Sequence, residues 1–236
     1  MSKIIKGKVV VADDEMFSQS IIVRQVKEIG AELILRAADG RECVQLLEND
    51  FNNEVSLILL DINMPKMNGL QVLKMVRTGA IECERDIPVI MLTGNTDREL
   101  VSAAMALDAD SFLAKPVSKA SLANRIHALS EEMRTIKPAD DYLSVDIGSA
   151  LRLKTGNKED KPVTGKVIKD DESVKKGRRY PRSDVPIGSI VSEPIYTSTG
   201  QVLIGEGVVI NARLKRKLEE LATVGENIGF IWVEED

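Results

Sequence analysis

The first 130 residues alternate short apolar runs with longer stretches in which apolar residues recur every three or four positions. Lys8-Val9-Val10-Val11-Ala12 is such a run. It ends in Asp13-Asp14, and the residues that follow place Phe17, Ile21, Ile22, Val26 and Ile29 at helical spacing before Gly30. This is the pattern of a strand, a loop and an amphipathic helix. The unit recurs. Leu33-Ile34-Leu35 leads to a helix through Cys43, Val44 and Leu47, and Leu57-Ile58-Leu59-Leu60 to one through Leu70, Leu73 and Val76. Val89-Ile90-Met91-Leu92 precedes a helix from about Asp97 to Leu107, and Phe112-Leu113-Ala114 precedes one near 118–130. Strands this continuously apolar are covered on both faces, so the pattern predicts an α/β fold with a five-stranded, doubly wound parallel sheet.

After Leu129 the pattern changes. Residues 131–185 hold few large apolar side chains, and their 13 Lys+Arg against 11 Asp+Glu make a solvated, near-neutral connector. Within it, Asp140 to Leu153 carries Tyr142, Leu143, Val145, Ile147, Leu151 and Leu153, enough for a short docked segment. From residue 186 on, short strands at SIV, PIY, QVLI and VVI are separated by the turn signals TSTG (197–200) and GEG (205–207). A helix follows with Asn211 as N-cap and Leu214, Leu218 and Leu221 on one face, then a last strand, IGFIWV (228–233). The predicted organisation is an α/β domain over 1–130, a linker over 131–185 and a small β-rich α+β module over 186–236.

Composition narrows the function classes. A net charge of -5 gives no overall attraction to nucleic acid or an anionic membrane. The last segment, with 4 Lys+Arg against 8 Asp+Glu and no basic recognition helix, argues against a DNA-gripping output. No apolar stretch reaches spanning length, and MSKIIKGKVVVADD runs straight into a strand instead of a signal peptide, so a cytoplasmic location without a membrane partner is expected. Cys43 and Cys83 are too few for a disulfide framework and have no metal-ligand spacing. His127 is the sole histidine, which excludes histidine-rich metal sites and catalysis by paired imidazoles.

In doubly wound sheets the working site lies beyond the C-terminal ends of the strands, where strand order reverses. The residues there are Asp13 and Asp14 after the first strand, Asp61 after the third, Thr93 after the fourth and Lys115 after the fifth. Singly, Asp14 and Thr93 are ordinary helix caps and Lys115 an ordinary surface lysine. Jointly they make a phosphoryl-handling set. Three converging carboxylates call for a cation, and oxygen-only ligands suit magnesium. Asp61 can attack an activated phosphoryl group to form an acyl phosphate, while Lys115 and Thr93 hold the other phosphoryl oxygens.

The stretches VVVADDE (9–15), LILLDINMPKMNGL (57–70), IPVIMLTGN (87–95) and SFLAKPVS (111–118) resemble the receiver family of two-component response regulators, and the likeness covers residues 6–130. The resemblance implies a flavodoxin-like fold and Mg2+ held by Asp14 and Asp61, with Asp13 through water and the Asn63 carbonyl. It also implies Asp61 as phosphoacceptor, Thr93 and Phe112 as switch residues, Lys115 as the phosphate-binding lysine and a cis Lys115-Pro116 bond. Phe112 lacks a tyrosine hydroxyl, so its inward and outward rotamers differ only in packing. Val117 stands where receivers of winged-helix regulators typically carry Phe, which weakens any link to that DNA-binding class.

Two weaker likenesses concern the remainder. Arg178 and Arg182, four apart before a strand, are similar to the RxxxR element of PilZ domains that bind cyclic dinucleotides, but the companion Asp/Asn-x-Ser-x-x-Gly element does not follow. The stretch PIGSIVSEPIYTSTGQVLIGEGVVINARLKRKLEEL resembles the small module that often precedes HD-GYP phosphodiesterase domains, whose own His-Asp and Gly-Tyr-Pro motifs do not appear in this sequence. The sequence thus predicts a phosphorylated signalling adaptor, not an enzyme. A sensor histidine kinase or phosphotransfer protein would be its donor, and a downstream protein or a second copy of the chain its target. A cyclic-dinucleotide effector is the alternative.

Overall fold

The computed structural model describes residues 5–94, 98–132, 134–148, 151, 177–197, 202–225 and 228–234. The first part contains β1 (Lys8–Ala12), α1 (Met16–Ile29), β2 (Leu33–Ala37), α2 (Gly40–Glu48), β3 (Val55–Asp61) and α3 (Gly69–Thr78). It continues with β4 (Val89–Thr93), α4 (Arg98–Ala106), β5 (Ser111–Ala114) and α5 (Lys119–Glu131). All five strands are parallel and lie in the order β2-β1-β3-β4-β5. This is the flavodoxin-like, doubly wound arrangement expected from the sequence. The start expected for the fourth helix, Asp97, lies outside the described residues.

Period-2 alternation explains why both faces are covered. Val9, Val11, Leu57, Leu59, Ile90 and Leu92 pack with Ile22 and Val26 of α1 and with Leu122 and Ile126 of α5. Val10, Ile58, Leu60, Val89 and Met91 point the other way, onto Val44 and Leu47 of α2, Leu70 and Leu73 of α3, and Leu100 and Ala104 of α4. Strand order reverses between β1 and β3, where Ala12 pairs with Leu60. Asp61 pairs with Leu92 and Thr93 with Ala114, so the residues just past these pairs share one rim.

Part of the connector is ordered onto the domain. Helix α6 (Ala139–Leu143) packs on α3, and Lys74 Nζ donates to the carbonyls of Leu143 and Val145 at 2.9 and 2.8 Å. Tyr142 is fully buried, its hydroxyl donating to Asp108 at 2.8 Å and accepting from Lys137 N at 2.7 Å. Leu153, counted toward the same segment, lies outside the described residues.

In the C-terminal part, β6 (Arg178–Pro181) pairs antiparallel with β9 (Phe230–Val233), and β7 (Ile195–Tyr196) with β8 (Val202–Ile204). Strand β6 falls inside the tract read as linker. Its entry needs Gly177, at φ 131°, where a Cβ would stand 2.1 Å from the Val233 carbonyl oxygen. The strands expected at 189–191 and 208–210 reduce to single bridges, Ile190 to Val209 and Val191 to Val233. Residues 198–200 of the TSTG turn lie outside the described residues. Helix α7 (Ala212–Thr223) starts as expected, the Asn211 side chain accepting from Leu214 N at 2.8 Å.

Helix α7 lies against β5, the edge strand of the main sheet, and β8 against α4. The apolar side chains of the small unit, Val191, Ile204, Leu218, Leu221 and Ile231 among them, belong to one core with those under α3 and α4. About fifty residues alone bury little surface, and this shared core gives them the burial they lack.

Candidate functional site

The rim begins with Asp13, 1% exposed, directly after β1. Its carboxylate accepts from Glu15 N at 3.0 Å and from Ser18 Oγ at 2.8 Å, so it is fixed by the first turn of α1. Gln19 braces the same corner from its buried amide, which donates to the carbonyls of Asp13 and Ala37. Asp14 is exposed and does not cap α1, whose N-cap residue is Glu15. Asp61 closes β3 at 4% exposure. Ligand oxygens of Asp13, Asp14 and Asp61 all lie within 4.8 Å of one another.

Lys115, one residue past β5, reaches back across the sheet. Its Nζ lies 2.7 Å from Asp61 Oδ2 and 2.8 Å from Asp13 Oδ2. Burial works against its charge, but the two carboxylates outweigh that and raise its pKa above the ordinary lysine value. Asp61 is shifted the other way. Burial pushes its carboxyl up to about 6, and repulsion from Asp13 adds to this against the pull of Lys115 and the Asn63 N–H. Asn63 N donates to Asp61 Oδ1 at 3.3 Å. The loop carrying Asn63 folds back tightly, Gly69 N donating to the Ile62 carbonyl at 3.0 Å. A Cβ at Gly69 would meet the Asp61 carbonyl oxygen at 2.2 Å, so the approach excludes any side chain there.

Thr93 is 1% exposed and its hydroxyl has no hydrogen-bond partner among the described residues. A buried hydroxyl without a partner is costly unless something comes to it. Phe112 is fully buried on β5, beside Met91 in register. Its backbone N–H donates to Glu220 of α7 at 2.9 Å, and Ser111 Oγ donates to the same carboxylate oxygen at 2.7 Å. Arg125 of α5 lies 2.6 Å from the other oxygen of Glu220, with Arg216 Nε at 3.0 Å. The Lys115-Pro116 bond is cis.

Asp13, Asp14, Asp61 and Lys115 thus gather at one rim, with Thr93 at the end of β4, whereas Phe112 lies fully buried within β5. Arg178 lines a groove with Tyr180, Ile187 and Val233, whereas Arg182 is absent from its lining. Ser18, Gln19 and Glu220 escaped sequence reasoning. The first two sit five and six residues after Asp13, on the first turn of the helix that leaves the rim, and that spacing is a readable signal. For Glu220 no local signal exists, because its partners lie more than a hundred residues away.

A five-stranded parallel sheet with an acidic rim and a lysine bridging two of its carboxylates defines a receiver-type domain. The chain belongs to the response regulator receiver family, which it matches as "Response regulator receiver domain" over residues 9–127. It is 32% identical over 124 residues to "Probable chemotaxis protein CheY" of Rhizobium etli, covering 52% of this chain and 92% of that one. It is 35% identical over 163 residues to "Probable transcriptional regulator ycf27" of Cyanophora paradoxa, covering 65% of this chain and 64% of that one. The first curated relatives are matched over only 45% to 64% of their own length. Among solved structures it is similar to the receiver domain of a Pseudomonas aeruginosa sensor histidine kinase crystallised with magnesium in its active-site cleft. Identity there is 25% and the TM-score 0.46, covering 54% of this chain and 100% of that one. No described helix is long and apolar enough to cross a membrane.

Proposed function

We propose that Asp61 accepts a phosphoryl group from a sensor histidine kinase or phosphotransfer protein, and that the acyl phosphate controls a protein–protein output. The observation that carries this reading is the bridge from Lys115 to Asp61 and Asp13, beside a Thr93 hydroxyl that lacks a partner among the described residues. An Asp61 oxygen attacks phosphorus in line, the donor's bond to phosphorus breaks, and the leaving group keeps the bonding pair. With a pKa near 6 the carboxylate is ionised at neutral pH yet more basic than an ordinary aspartate, which favours attack. Lys115 then pairs with one phosphoryl oxygen, and Thr93 finds in another the acceptor it lacks.

The donor set also fits magnesium, being three carboxylates with no histidine or cysteine ligand beside them among the described residues. Asp13, Asp14 and Asp61 would hold it with the Asn63 carbonyl. When bound, it neutralises charge on the attacking and transferring oxygens. The test is intact-protein mass after incubation with a small phosphodonor and magnesium. Wild type should gain one phosphoryl group and Asp61→Asn none, while labelling of the variant would move the acceptor elsewhere.

The output reading rests on α7. The strand that runs up to Lys115 also offers Ser111 and Phe112 to Glu220, so a shift of Thr93 and Phe112 toward a phosphorylated Asp61 would disturb the seat of α7. The receiver over 1–130, the connector and the module over 186–236 are read as switch, tether and output, with a partner protein or a second copy as target. The likeness of residues 186–221 to the segment preceding HD-GYP domains rests on sequence alone. A cyclic-dinucleotide reading would rely on Arg178 in its groove, and weaker binding of cyclic-di-GMP by Arg178→Ala is its test.

A further inference from the structure

The junction between the receiver and the small unit holds more positive than negative charge. Around the carboxylates of Asp108 and Asp110 stand Arg77, Arg134, Lys137, Arg213 and Lys217, five cations to two anions in a chain of net charge -5. Arg77 and Arg213 take up the Asp110 carboxylate at 2.7 Å each, and Tyr142 donates to Asp108. Two donors are left over. Arg213 Nε is buried without an acceptor among the described residues. Lys217, on α7, is 4% exposed and takes part in no hydrogen bond or ion pair among the described residues. Burying an unpaired ammonium is costly, and burial together with neighbouring Arg213 lowers its pKa to about 8 against the opposing pull of Asp110 and Asp108.

Both residues face a cleft of about 530 Å³ that opens between α4, residues 135–137, β8 and α7. Lys137 completes its cationic end, where Asp108, 3.7 Å from the Lys137 ammonium, is the one carboxylate of the lining, and Met105, Ile136 and Leu203 are part of its apolar wall. A cavity of this size, apolar with a few convergent polar groups, is the usual form of a small-molecule site. We propose that this cleft binds a small organic anion, a carboxylate or phosphate monoester with a short apolar tail, whose head pairs with Lys217, Arg213 and Lys137. Such a ligand would supply the acceptor that Lys217 lacks and would touch α4 and α7 at once. It therefore favours the seated position of α7 over any other. The site is separate from Asp61, and its existence does not depend on phosphoryl transfer.

The test is calorimetric titration of the full chain with octanoate, hexyl phosphate and inorganic phosphate. One or both tailed anions should bind saturably at one per chain, the better of the two identifying the head group, and inorganic phosphate should bind more weakly. Lys217→Met should weaken that binding by about tenfold or more, as expected for loss of a charge-assisted bond, with its circular dichroism unchanged. In wild-type protein the Lys217 Cε resonance should shift on adding the tailed anion at pH 7.5, a readout that needs no variant to fold. Saturable binding by neither tailed anion, equal binding of inorganic phosphate, an unweakened Lys217→Met, or an unmoved Lys217 resonance would each overturn the proposal.

Discussion

Asp61 is a charged group held in a place that resists its charge, and this fixes how stability depends on pH. Its carboxyl titrates near 6 in the fold, above its ordinary value of 3.8, so between those limits the folded chain binds more protons than the unfolded one. Stability therefore falls as pH rises through that window, and the full penalty is present above pH 6. Asp61→Asn should be more stable than wild type by about 1 to 3 kcal/mol at pH 7.5 with a chelator present, and the gap should close as pH falls toward 4. Urea unfolding at several pH values measures this, and a gap that does not change with pH would deny the burial penalty. Asp110 is the opposite case. It is fully buried and pairs with Arg77, Arg134 and Arg213 while accepting from Val89 N at 2.8 Å. Asp110→Ala leaves those guanidiniums uncompensated and should cost about 3 to 5 kcal/mol, read from the same unfolding curves.

Helix α7 answers a problem that β5 poses. An edge strand leaves backbone groups unpaired, and here Glu220 accepts from the Phe112 N–H while a helix covers the strand. The carboxylate is fully buried, so its value lies in four partners at once: Ser111, Phe112, Arg125 and Arg216. Glu220→Ala should free the Phe112 amide, and its hydrogen exchange should speed up much more than that of buried β1 amides. Equal protection in wild type and variant would mean that α7 is held by apolar packing alone. Asn211→Ala removes a side-chain cap worth about 1 kcal/mol and should loosen the first turn of α7 without touching the β5 contact.

At the scale of the whole molecule, the acidic rim and the α7 seat are joined by the short strand β5, with Lys115 just past one end and Ser111 at the other. Binding of beryllofluoride with magnesium at Asp61 should change exchange protection at Ser111, Phe112 and α7, and leave the layer formed by α1 and its strands unchanged. Such a shift acts on a partner only through its difference in affinity for the two forms, commonly about 1 to 3 kcal/mol. Change confined to the rim, in protein shown to carry the mimic, would mean that α7 is no part of the output.

Periodicity alone determined the five strands and five helices of the first half, because each buries a face whose spacing is written in consecutive residues. Those strand ends also named Asp13, Asp14, Asp61, Thr93 and Lys115, since a parallel sheet brings the C-terminal ends of its strands to one rim whatever the loops do. Tertiary structure decided what periodicity cannot carry. Lys115 bridges Asp61 and Asp13, and Thr93 is left without a partner among the described residues, because side-chain reach depends on strand register. The run RRYP became a strand, not linker, because its partner Phe230–Val233 lies some fifty residues further along the chain. Glu220 and Lys217 look like two more charges on a solvated helix until α7 meets β5. Their burial is created only by that contact, and no local pattern encodes a contact between segments a hundred residues apart.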